Sequence, residues 1–218
     1  MGRSPAPACS RAALIDATQT EFWRPPPDME NPRILLGSVL TARLGRIWIA
    51  VSPKGLVAVQ FGVSSVRFLS SVTRLTRAEP LVGQTQLQSL TRQLKEYAEG
   101  RRSAFNLSID WSVVSSEFQR RALRAVLEIP YGETRTYGQI AAQIGFPLCA
   151  RAVGRANATN PMPLVIPCHR VIGGDGRLHG YGGSGGLRTK AWLLRMGADA
   201  RERGLEVGPV SADRHLLP

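Results

Sequence analysis

At 218 residues with 43% hydrophobic side chains, the chain has enough apolar material to bury one large core or two small ones. Its 28 lysines and arginines against 16 acidic residues leave a formal charge of +12, which favours a polyanionic partner, nucleic acid first and an anionic membrane surface second. No apolar run approaches the roughly 18 residues of a membrane span, and three cysteines without close spacing give neither a disulfide framework nor a thiolate-metal site.

Residues 1–32, rich in Pro, Ala and Ser, show no apolar periodicity and no signal-peptide core, so a flexible leader on a soluble, cytoplasmic protein is expected. Order is expected from residue 33. Ser38 to Thr41, Ile47 to Val51 and Leu56 to Phe61 are short β-branched-rich runs, separated by Arg43-Leu44-Gly45 and Pro53-Lys54-Gly55, which predicts an antiparallel meander. Leu87, Leu90, Leu94 and Tyr97 recur at helical spacing and stop at Gly100, giving one amphipathic helix to cover that sheet. Residues 33–112 thus read as a small α/β domain without visible chemistry.

A second domain, 113–198, opens with the capping-box pattern Ser116-Glu117-Phe118-Gln119 and a helix with Phe118, Ala122, Ala125 and Val126 on one face. Tyr137 to Ile144, closed by Gly145, and Leu148 to about Ala158 form two more helices joined by Gly145-Phe146-Pro147, a helix-turn-helix pattern. Such a pair either binds DNA or only builds a core. Between Glu117 and Arg195 there are 11 basic and 4 acidic residues, and Arg151 and Arg155 lie four apart on the second helix, which leans toward DNA; a solvated basic face is the alternative. The prolines of Asn160 to Pro167 forbid a helix, so an extended strut is expected to deliver Cys168 to a fixed place. Glycine-rich loops follow at 173–176 and 180–186, then a helix over Thr189 to Met196, and 199–218 is a tail. The fold class is α+β, with an N-terminal α/β domain built on a small antiparallel sheet and a mainly helical C-terminal domain.

Cys168 stands in Pro167-Cys168-His169-Arg170. A free thiol is only a few per cent thiolate at neutral pH, so a nucleophilic cysteine needs a base or positive surroundings, and His169 and Arg170 supply both types. Neighbours on an extended chain point to opposite sides, so His169 reaches the sulfur only through a turn or a bridging water. By itself the dipeptide fits a catalytic pair or a buried structural one.

The runs Ile129-Pro130-Tyr131-Gly132-Glu133-Thr134, Thr136-Tyr137-Gly138-Gln139-Ile140-Ala141, Ala150-Arg151-Ala152-Val153-Gly154, Asn160-Pro161 and Ile166-Pro167-Cys168-His169-Arg170-Val171-Ile172 together resemble the O6-alkylguanine-DNA alkyltransferase family in order and spacing. The resemblance implies a monomer that binds the minor groove of double-stranded DNA containing alkylated guanine. It also implies that Cys168 takes the alkyl group from O6-alkylguanine, and by extension from O4-alkylthymine, irreversibly and once per molecule, with no cofactor and no metal. It further implies that Arg151 fills the gap left by a flipped base, that Tyr137 donates toward the guanine ring, and that Asn160 braces the turn before the cysteine. His169 would relay the thiol proton through water, the backbone near Cys168 and Val171 would read the guanine edge, Tyr181 would line the pocket, and Ser184 would stand in its loop as a donor to O6. The family's relay glutamate, just after the Leu-Leu pair of the last helix, has no counterpart in Leu193-Leu194-Arg195-Met196-Gly197-Ala198, which leaves Asp199 or Glu202 as substitutes if the chain turns. A lesion-recognition protein that flips alkylguanine without transfer is the alternative reading.

Overall fold

The structure, a computed structural model, describes residues 33–83 and 85–203. The expected leader, and the tail beyond residue 203, lie outside the described residues. The chain is mixed α+β, as the sequence implies.

Three strands, β1 (Ile34–Thr41), β2 (Gly45–Ser52) and β3 (Gly55–Phe61), form the antiparallel meander. β1 begins four residues earlier than the β-branched run at Ser38 suggests. The sheet is mixed and not purely antiparallel, because β4 (Pro80–Val82) adds parallel to β1 and gives the order β3-β2-β1-β4. The crossover carries a helix the sequence reading passed over, α1 (Ser65–Thr76), capped by the Ser64 hydroxyl on the Arg67 amide. A parallel neighbour requires such a crossover.

Alternation puts Ala50 and its partner Ala58 on one face, and the register shift beside Ala50 turns the extra residue Val57 to the same side, against Phe68 and Val72 of α1. The opposite face, with Ile47, Ile49, Val51 and Val59, packs on Leu90, Leu94 and Tyr97 of α2 (Gln88–Ala98) and continues without a break into the apolar interior of the second half. One core therefore runs through both halves.

Among the described residues the second half has four α-helices: α3 (Glu117–Leu127), α4 (Tyr137–Gln143), α5 (Ala150–Ala158) and α6 (Gly186–Glu202). Ser116 caps α3, but only half of its capping box forms, since the Gln119 side chain instead donates to Thr159. The complete box sits on α4, between Thr136 and Gln139. α4 and α5 are the expected helix pair, turned by Gly145 at φ 86, with Leu148 fully exposed at the tip. α6 extends well past Met196, because its apolar side continues through Ala200. Among the described residues no helix is long and apolar enough to cross a membrane, and no group of three or more metal-ligating side chains is placed to hold an ion.

Candidate active site around Cys168

Asn160 to Pro167 is a compact turn and not an extended strut. The Ile166 amide donates to the Met162 carbonyl at 2.9 Å, and buried Leu164 adopts φ 76. That left-handed conformation is costly for a branched side chain and persists only where its surroundings force it. Asn160 supplies the force: its amide donates to the Ile166 carbonyl at 2.9 Å while its Oδ1 accepts from the Met162 amide at 3.0 Å. From β3, the Val59 amide donates to the Pro161 carbonyl at 2.9 Å and ties the turn to the N-terminal sheet.

Cys168, His169 and Arg170 then form a single tight helical turn, all three buried, before Val171 and Ile172 pair in parallel with Arg135 and Thr136. The strand pairing places Tyr137, at the start of α4, close to the sulfur. Cys168, Asn157, Asn160 and Tyr181 line one cavity of about 610 Å³, whose far wall carries Arg67 and Arg74 of α1.

Burial pushes the Cys168 thiol above its ordinary range; the Asn160 amide, the positive charge of Lys190, and the Cys168 and His169 backbone N–H groups pull it back. The His169 imidazole is not among these donors. Lys190 is wholly buried, and its Nζ donates to the carbonyls of Val171 at 2.6 Å and His179 at 3.0 Å. Burial, with a further push from a Cys168 charge, holds Tyr137 above its usual range, so it stays a phenol able to donate at neutral pH.

His169 lies 3.3 Å from the hydroxyl of Tyr97, between Nε2 and Oη, and Arg170 donates to the same hydroxyl at 3.2 Å and to the Ile129 carbonyl at 2.7 Å. Neither Asp199 nor Glu202, the sequence-based candidates, is hydrogen-bonded to His169. Burial, then the charges of Arg170 and Lys190, hold the imidazole well below its ordinary range, and hence neutral.

Arg151 and Arg155 are exposed on α5 beside Ala150, Ala152 and Gly154, so this helix presents two cations over a nearly flat backbone. Ser184 is not brought to the cavity: its side chain lies against Gly62 at the end of β3, where an added Cβ would approach to 2.0 Å. The sequence reading missed Asn157, Tyr97 and Lys190. Asn157 is 9% exposed, both its amide atoms lack a protein partner, and it lines the cavity one turn before Asn160. An amide in an otherwise small-residue helix was its only signal.

Residues 117–198 match the family described as "6-O-methylguanine DNA methyltransferase, DNA binding domain", and 36–111 match its "ribonuclease-like domain". A methylated-DNA–protein-cysteine methyltransferase of Methanosarcina barkeri is 38% identical over 159 residues, 72% of this chain and 94% of that one. One from Mycolicibacterium paratuberculosis is 55% identical over 104 residues, and the match spans only 61% of that relative's length. In structure, Mycobacterium tuberculosis OGT in complex with DNA is similar with a TM-score of 0.63 and 36% identity, over 76% of this chain and 93% of that one.

Proposed function

Since the chain belongs to the 6-O-methylguanine DNA methyltransferase family, we propose that it repairs alkylated DNA by moving the alkyl group from O6 of guanine to Sγ of its own Cys168. The observation that carries this reading is the buried sulfur itself, held on a tight turn at the wall of a cavity, with donors from Asn160 and two backbone amides and the positive charge of Lys190 acting on it. Those donors favour a thiolate where nothing else in the site requires one.

In the transfer, the S–C bond forms as the C–O6 bond breaks, and the electron pair of that bond passes into the guanine ring. The proton lost by the thiol is matched by one gained on the ring, where the Tyr137 phenol donates as charge develops. The product thioether has no easy route back, so each molecule acts once. The bare, basic face of α5 suits the minor groove of double-stranded DNA, with Arg151 holding the space of the flipped nucleotide. Val171, braced by Lys190, presents backbone to the guanine edge, and Tyr181 closes the pocket. The protein works intracellularly, as a monomer on its DNA.

Incubation of the folded protein with O6-benzylguanine tests the reading: the peptide containing Cys168 gains one benzyl group by mass, and Cys168→Ala gains none. An unmodified Cys168 on folded protein that still binds DNA sinks it in favour of lesion recognition alone.

A further inference from the structure

Arg170 can only donate, so one lone pair of the Tyr97 hydroxyl is committed to its Nη2 at 3.2 Å. The phenol has one proton to place. The other polar group within its reach is His169 Nε2 at 3.3 Å, which accepts it only if that nitrogen is bare. The opposite tautomer, with a proton on Nε2, would strand the hydroxyl proton of a side chain that is 0% exposed.

We infer that Tyr97, reaching across from the N-terminal domain, is a positioning residue for alkyl transfer that fixes the proton of neutral His169 on Nδ1. The inference rests on the alkyl-transfer reading for its kinetic consequence but not for the tautomer. His169 Nδ1 is buried and has no partner within the protein, so a proton held there is free to be donated beside Cys168. His169 thus acts in the resting site as a donor, and the thiol proton passes to water in the cavity that Cys168 lines, its loss eased by the groups facing the sulfur, and not to a carboxylate-backed imidazole. The flank is rigid: the Tyr97 ring stacks tilted on Phe105 with centroids 4.8 Å apart and edge-on to Tyr131 at 5.8 Å, so the hydroxyl has no alternative position.

Two measurements on the intact protein decide it. With ¹⁵N-labelled histidine and His169→Gln to assign the signal, long-range ¹H–¹⁵N correlation of the unmodified protein reports a protonated Nδ1 and a bare Nε2; a proton on Nε2 overturns the proposal without any variant. Tyr97→Phe keeps the ring contacts and removes only the hydroxyl. It converts the signal to a mixture of tautomers and slows benzyl transfer from O6-benzylguanine about tenfold, while the melting curve stays cooperative. An unchanged tautomer and rate in Tyr97→Phe overturn the proposal, as does a lowered melting temperature with both readouts unmoved, which marks a merely structural hydroxyl. If the unmodified protein never labels Cys168, the transfer reading fails, and the tautomer still answers for Tyr97.

Discussion

Gly197 of α6 rests backbone to backbone on Gly132: a Cβ at 197 would lie 3.1 Å from both Cα and N of Gly132, and one at 132 would lie 2.8 Å from the Gly197 carbonyl oxygen. The contact seats α6 on the turn that leads into α4. It also explains physically why no carboxylate projects from this point of the helix, since position 197 has no room for a side chain.

Substituting either glycine by alanine is therefore destabilising, and unequally so. Gly132→Ala adds the strain of φ 78 to a collision with a carbonyl, so it is expected to cost about 3 kcal/mol, against roughly 1 to 2 kcal/mol for Gly197→Ala. Urea unfolding of the two variants checks both the sign and the order.

Cys168→Ala and Arg151→Ala separate chemistry from base flipping. The first should abolish transfer and retain affinity for duplex DNA. The second should slow transfer from an alkylated duplex by at least about tenfold, the loss of one intercalating contact, and leave the reaction with free O6-benzylguanine nearly unchanged. Equal loss in both reactions for Arg151→Ala contradicts the role given to it; single-turnover labelling with the two substrates measures this.

The labelling rate should climb with pH. Because burial raises the Cys168 thiol from its ordinary 9.0, little thiolate is present at neutrality, and the rate rises up to about tenfold per unit until the thiol titrates. Lys190→Met removes a positive charge that favours the thiolate, so the whole profile moves to higher pH. A profile that stays in place shows that Lys190 serves only the two carbonyls it holds.

Stability should narrow on both sides. His169 is held below its ordinary 6.5 in the folded state, so below about that pH the unfolded chain binds the extra proton and stability falls as pH falls toward the folded value. Cys168 is held above 9.0, so above that pH the unfolded chain loses its proton first and stability falls as pH rises. Each limb has a slope of at most about 1.4 kcal/mol per pH unit. Urea midpoints measured across pH check this, and in His169→Gln the acid limb attributable to this residue should vanish.

The sequence carried the fold wherever periodicity and caps are local. The strand alternation around Ile47 and Ile49, the helix opening at Tyr137 and its stop at Gly145 all act over a few residues, and they are where the reading and the structure agree. β4 was hidden because three residues whose side chains are largely exposed have no pattern, and α1 because its β-branched Val66, Val72 and Thr73 read poorly as helix. In the site, Cys168 and Asn160 announce themselves by their motif. Tyr97 could not: helical spacing explains its ring, and its hydroxyl meets His169 across 72 residues of chain. The placement of Ser184 beside Gly62 was unreadable for the opposite reason, since a glycine-rich loop leaves the direction of its side chain undetermined by sequence.

The hydrogen bond from Val59 to the Pro161 carbonyl and the unbroken interior beneath it bear on how the molecule comes apart. The strand and the reactive turn hold each other, so neither half has a complete surface of its own. Heat should meet a single cooperative unit, with one calorimetric peak, and a fragment beginning near residue 113 would carry the acceptor cysteine on a turn that has lost its anchor.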